Sequence, residues 1–155
     1  MEDHKWEISN IGEVKVSYVF HGSVKDRPII TSSNDVFKIA MMVLNQETVG
    51  MQEQFLAIYM NRAHRVIGAK VHFIGGISSV IVDVKVIAAT AVSLMASSVI
   101  VCHNHPSGNL EPSVQDQRIT VKLKESLKLL DIELLDHMIV TPEGDWLSFL
   151  ERGLI

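Results

Sequence analysis

Val99-Ile100-Val101-Cys102 constrains the fold more than any other stretch of the chain, because it is continuously apolar and three of its four side chains are β-branched. A strand sends successive side chains to opposite faces, so one without a polar position must be covered on both sides. The run therefore predicts a central, buried strand of an α/β sheet. It also delivers His103 to the point where the chain leaves the sheet, and ligand sites in open α/β sheets favour such strand ends.

The other elements follow from periodicity and turn chemistry. From Glu13 to Phe20 the residues alternate, with Val14, Val16, Tyr18 and Phe20 on one side and Glu13, Lys15 and Ser17 on the other, which predicts a half-buried strand ended by His21-Gly22-Ser23. Ser33 or Asn34 can cap a helix carrying Val36, Phe37, Ile39, Ala40, Met41, Val43 and Leu44, ending between Asn45 and Gly50. Phe55 to Met60 and Val66 to Ile74 read as a hairpin across Asn61-Arg62-Ala63-His64-Arg65, closed by Gly75-Gly76. A second helix fits Asp83 to Met95 and breaks at Ser97-Ser98. A third starts at Pro112-Ser113 and stacks Ile119, Leu123, Leu127 and Leu130 on one face, with Lys122, Lys124 and Lys128 facing water. Glu133 to Val140 and Trp146 to Leu150 complete the set as strands around the turn Pro142-Glu143-Gly144-Asp145.

At 155 residues a single domain spanning 1–155 is expected, with residues 1–32 as an N-terminal extension that includes the first strand. No apolar run approaches the roughly 18 residues of a membrane span, and Met1-Glu2-Asp3-His4-Lys5-Trp6 lacks the order of a signal peptide, so a cytoplasmic location is the default expectation. A single cysteine, Cys102, excludes a disulfide framework and a Cys-rich zinc site; any metal must be held mainly by nitrogen and oxygen. The net charge of −4 gives no general attraction to a phosphate backbone, which weighs against DNA as a partner.

The chemistry concentrates in His103-Asn104-His105-Pro106-Ser107-Gly108, followed by Ser113 and Asp116. Side chains at i and i+2 of an extended segment point to the same side, so His103 and His105 can face one cavity. Asp116, one turn into the third helix, can approach the same point if the intervening loop reverses. Two imidazoles and one carboxylate fill three positions of a tetrahedral zinc site and leave a fourth for water, as a catalytic rather than a structural site requires. Such a site needs a general base from elsewhere in the chain, and Glu53, just ahead of the strand Phe55 to Met60, is the leading candidate. Ser113 can donate a hydrogen bond to the oxyanion formed on a carbonyl.

By composition a His-x-His pair is expected roughly 0.3 times, but adding the proline, serine and aspartate at fixed offsets lowers that to about one in ten thousand. The pattern His103-x-His105-Pro106, six residues, Ser113, two residues, Asp116, with an upstream glutamate, resembles the JAMM motif of the JAB/MPN metalloprotease superfamily. More narrowly, His103 to Gly108, Pro112-Ser113 and Leu135-Asp136-His137 are similar to the bacterial RadC-like proteins. That resemblance covers about Glu53 to Thr141. It implies a cytidine-deaminase-like α/β fold, a three-layer domain with a mixed sheet flanked by helices. It implies one zinc ion on His103, His105 and Asp116, with Glu53 activating water and Ser113 assisting the oxyanion. It also implies a peptide or protein substrate cut at a peptide or isopeptide bond. Two departures stand out: nothing ahead of the domain resembles the helix-hairpin-helix-like N-terminal region of the longer RadC-like proteins, and Lys85-Val86 stands where an arginine and a glutamate are often found.

Each of these residues has an ordinary reading beside the chemical one. Ser113 and Asp116 suit a helix N-terminus, and the two roles can coexist. Glu47 rivals Glu53 as base and Ser107 rivals Ser113, although Ser107-Gly108 reads as turn chemistry. Asp136-His137 is expected as a structural pair on a strand in preference to an outer partner of the metal ligands. Cys102 reads as a small buried hydrophobe, and Trp6, Trp146 and most methionines as core. A deaminase would need His-x-Glu and Pro-Cys-x-x-Cys, which one cysteine cannot supply. The competing functions are a DNA-repair-associated RadC-like accessory protein and a noncatalytic MPN-type scaffold. The second of these usually lacks the ligands present here.

Overall fold

The computed structural model describes residues 12–75 and 80–155, and the expectations for Trp6 and Gly76 lie outside them. After a short 3-10 turn at Val24–Asp26 the elements run α1 (Ser33–Val43), β1 (Gln54–Met60), β2 (Val66–Ile74), α2 (Val84–Ser93), β3 (Ser98–Asn104), α3 (Val114–Lys128), β4 (Glu133–Val140) and β5 (Trp146–Ser148). The five strands form one mixed sheet in the order β2-β1-β3-β4-β5. β3 and β4 are parallel and the other neighbours antiparallel.

β3 is the central strand, buried along its whole length, as its apolar run requires. Its alternate residues feed two cores. Ile100 and Cys102 meet Val36, Ile39 and Ala40 of α1 on one face, while Val99 and Val101 meet Ile87 and Ala91 of α2 and Leu123 and Leu127 of α3 on the other. The result is the expected three-layer α/β domain with helices on both faces of the sheet.

The sequence misplaced several details. The segment 13–20 forms no strand; Val14 and Val16 are 88% and 67% exposed. Alternation specifies two faces but no ladder partner, and this segment is held by side chains instead. The Tyr18 hydroxyl donates to the Ile67 carbonyl at 2.6 Å, and the Arg27 guanidinium lies 4.7 Å from the Phe20 ring centre. α1 is capped by Ser32, whose hydroxyl and Asp35 form a reciprocal capping box. α3 ends at Lys128, so Leu130 falls past the helix and is exposed, and Thr120 completes the buried stripe. Met42, Met51 and Met95 are exposed, against the expectation that most methionines are core. Trp146 is partly exposed and stacks on Phe37 at 5.0 Å. Among the described residues no helix is long and apolar enough to cross a membrane.

Candidate metal centre

The ends of three elements meet at one end of the sheet's central strands. The parallel β3–α3–β4 crossover sets the C-terminal end of β3 beside the N-terminal end of α3. β1 runs antiparallel to β3 with Phe55 opposite His103, so Glu53 arrives at the same end. The reversal between β3 and α3 turns at Gly108, whose φ of +77° suits glycine and whose N–H donates to the His105 carbonyl at 3.1 Å.

The loop and the helix cap bring the three expected ligands together. His103 Nε2 lies 2.9 Å from His105 Nε2 and 3.3 Å from Asp116 Oδ1, and His105 Nε2 lies 3.6 Å from Asp116 Oδ2. Two imidazole nitrogens and a carboxylate stay this close only where a proton or a metal cation lies between them. A tetrahedral zinc ion with bonds of about 2.0 to 2.1 Å sets neighbouring ligand atoms about 3.3 Å apart, so the set fits such an ion. The imidazoles supply nitrogen and the aspartate oxygen, which are ligand types zinc accepts.

The second nitrogen of each imidazole is also engaged. His105 Nδ1 donates to the Asn109 carbonyl at 2.5 Å, which leaves Nε2 bare for a metal. His103 Nδ1 lies 2.8 Å from His137 Nε2, and His137 Nδ1 lies 2.6 Å from the Thr120 hydroxyl. The Asp116 carboxylate raises the pKa of His105 against the opposing effect of burial. Burial alone would raise Asp116, yet with no metal between them hydrogen bonds from the His103 and His105 rings, donated where Nε2 carries a proton that a metal would displace, overcome it and hold the carboxylate well below its ordinary value. Complete burial pushes His137 well below the usual imidazole value, which favours the neutral ring.

His137 and Asp136 therefore part company, correcting the expectation of a structural pair. As neighbours on β4 they point to opposite faces. His137 reaches a candidate metal ligand, His103, as outer partners of metal sites do. Asp136 is structural: it accepts from the Ser148 hydroxyl at 2.6 Å and from the Leu150 and His137 main chain at 3.0 and 2.7 Å. Cys102 also points away from His103, into the α1 side of the core. Sequence reasoning missed Thr120, although a polar residue in the buried stripe of α3, four positions after Asp116, was a usable signal.

Glu53, Phe55, His105, Ser113 and Asp116 line one cavity of about 680 Å³. Arg118 and Lys122, one turn apart on α3, add two positive charges to it. Glu53 Oε2 accepts from the Val80 N–H at 3.2 Å. Glu47 is exposed and absent from this lining. The Ser113 hydroxyl caps α3: it accepts from Asp116 N–H at 3.1 Å and donates to Asp116 Oδ2 at 2.7 Å. Ser107 is engaged in the turn, accepting from Asn109 N–H at 3.4 Å. Asn104, between the two histidines, points the other way and fastens the Glu53 loop. Its amide donates to the Val49 and Gln52 carbonyls at 2.6 and 2.9 Å, and its oxygen accepts from Gln54 N–H at 2.7 Å.

Residues 30–154 match the RadC-like JAB domain family. A UPF0758 protein of Flavobacterium johnsoniae is 38% identical over 125 residues, 81% of this chain and 53% of that protein. UPF0758 proteins of Shouchella clausii and Clostridium botulinum are each 39% identical, over 82% and 84% of this chain and 54% and 56% of their own length. The chain spans about half the length of these relatives.

Proposed function

The chain belongs to the RadC-like JAB domain family, and on that footing we propose that it is a zinc-dependent hydrolase that cleaves an amide, of the metallopeptidase or isopeptidase class. The observation that carries the reading is the convergence of His103 Nε2, His105 Nε2 and an Asp116 oxygen within 4.8 Å of one another, beside a cavity that Glu53 also lines. A zinc ion on this set supplies Lewis acidity toward water and a substrate carbonyl.

The chain's own residues supply the rest. Glu53 takes a proton from the attacking water and returns it to the leaving nitrogen, the double role of a general base and acid. Ser113 serves the developing oxyanion once its hydroxyl turns from Asp116 Oδ2 to the substrate oxygen. Its main-chain N–H, 2.7 Å from the same carboxylate oxygen, keeps Asp116 in place meanwhile. Phe55 and the apolar Val80 and Ile81 give the cavity a wall against which a peptide can lie.

The test is Glu53→Gln, assayed on a library of quenched fluorescent peptides that includes ε-lysine isopeptide linkages. A general base contributes about 10² to 10⁴ in rate, so the variant should retain zinc and lose at least about a hundredfold in hydrolysis. Unchanged turnover removes Glu53 as the base. A zinc-loaded wild type that cleaves no member of the library overturns the peptidase reading.

A further inference from the structure

We propose that Thr120 and His137 form a directional hydrogen-bonded relay that presents His103 Nε2 bare to the metal and ties His103 to the backbone of the second ligand, Asp116. The inference rests on the metal-site reading above and concerns residues that reading does not use.

The direction follows from counting donors. The relay ends on the Asp116 main-chain carbonyl, which can only accept, and the Thr120 hydroxyl lies 2.6 Å from it. Thr120 therefore spends its one hydrogen there and must accept from His137 Nδ1–H at 2.6 Å. His137 and Thr120 are almost fully buried, and Phe55 and Phe149 lie against the His137 ring at 5.6 and 4.6 Å. A dry pocket of this kind favours an imidazole with a single N–H. With that hydrogen on Nδ1, His137 Nε2 accepts, and the donor 2.8 Å away is His103 Nδ1–H. His103 Nε2 then carries a lone pair, and it is this atom that faces Asp116 Oδ1 at 3.3 Å and His105 Nε2 at 2.9 Å. The reverse direction would put a hydrogen on His103 Nε2, where it would block a metal.

Geometry gives the relay a second consequence. His103 stands on β3 and Asp116 on α3, and the relay passes from one to the other through β4 and back into α3. It closes a ring behind the metal position, so the spacing of two ligands is set by buried hydrogen bonds. A threonine bonded to the carbonyl four residues back is ordinary helix chemistry. Here the same hydroxyl also receives a buried imidazole that ends on a ligand, which that chemistry does not require.

The experiment compares Thr120→Val, which keeps the shape and removes the hydroxyl, with Thr120→Ser, which keeps the hydroxyl. His137→Phe is paired in the same way with His137→Gln, whose amide can donate to Thr120 and accept from His103. Zinc affinity is measured by competition with a chromophoric chelator, ligand symmetry by the visible absorption of the Co²⁺ form, and tautomers by long-range ¹H–¹⁵N correlation of the zinc-loaded wild type. Loss of an outer partner typically weakens metal binding about 10- to 100-fold, so T120V and H137F should lose affinity by that factor and alter the Co²⁺ spectrum. T120S and H137Q should restore most of it. The wild-type spectrum should show His103 and His137 both protonated at Nδ1. Zinc affinity and Co²⁺ spectrum unchanged in T120V, or a hydrogen on His137 Nε2, overturns the relay while leaving the metal site intact. A folded wild type that binds neither ion removes the metal reading, and the relay with it. If H137F does not fold, the T120V and T120S pair decides alone.

Discussion

Asn104→Ala should separate the stability of the Glu53 loop from the proposed metal site, although Asn104 stands between two candidate ligands. The side chain is fully buried and makes three hydrogen bonds, all to the segment from Val49 to Gln54. At about 1 kcal/mol each these bonds contribute roughly 3 kcal/mol, and leaving a buried N–H without a partner adds about 1 to 2 more. The expected loss of roughly 3 to 5 kcal/mol is a large share of the roughly 5 to 15 kcal/mol of a typical domain. The ligands should be spared, because separate anchors hold them. His103 is paired in the β1–β3 ladder and bonded to His137, while His105 N–H donates to Val140 at 2.9 Å and its ring to Asn109. Urea unfolding of the metal-free variant should show the full loss. Zinc affinity, measured by chelator competition on the folded fraction, should stay within about threefold. Amide hydrogen exchange at Glu53 and Gln54 should quicken well beyond that of Val101 in the core. The reasoning fails if the stability loss is below about 1 kcal/mol, or if zinc affinity falls in step with stability.

Asp136→Asn tests a buried carboxylate on the opposite face of β4. Burial raises its pKa above the 3.8 of a free aspartate, against the hydrogen bonds it accepts from Ser148, Leu150 and His137. The folded state thus binds this proton more tightly than the unfolded chain. Its contribution is present below about pH 4 and is lost as pH rises through the folded value. The variant cannot titrate there, so its stability relative to wild type should rise as pH increases above about 4 in urea titrations. A difference that is flat or falls with pH refutes the assignment. Cys102 is fully buried, and burial, with the nearby Asp136 charge, pushes its thiol well above the ordinary value. A thiol-reactive disulfide reagent should therefore leave the native protein unlabelled and modify one thiol per chain in urea, whereas rapid native labelling would place Cys102 elsewhere.

What the sequence made legible was local, and what it hid was pairing across distance. β3 could be read because a short, β-branched apolar run suits a buried strand, and the Ser113–Asp116 capping box because both partners sit three residues apart. Glu13 to Phe20 carried an equally clear alternation and still formed no strand, since alternation does not supply a neighbouring ladder. His137 was visible as a polar residue in an apolar strand, but its contact with His103 spans 34 positions, and that of Thr120 with His137 spans 17. Glu53 shows the limit most clearly. No local periodicity distinguishes it from Glu47, and only its place just ahead of the strand Phe55 to Met60 and the resemblance favoured it. The physical reason for its position is the antiparallel register that sets Phe55 opposite His103, together with the Asn104 side chain that fastens the residues on either side of it. That makes His103-Asn104-His105 a two-faced unit: its histidines converge with Asp116 on one side while its asparagine holds the candidate base from the other. A substitution at Asn104 and one at His103 should therefore fail differently, the first in the loop and the second in the metal site.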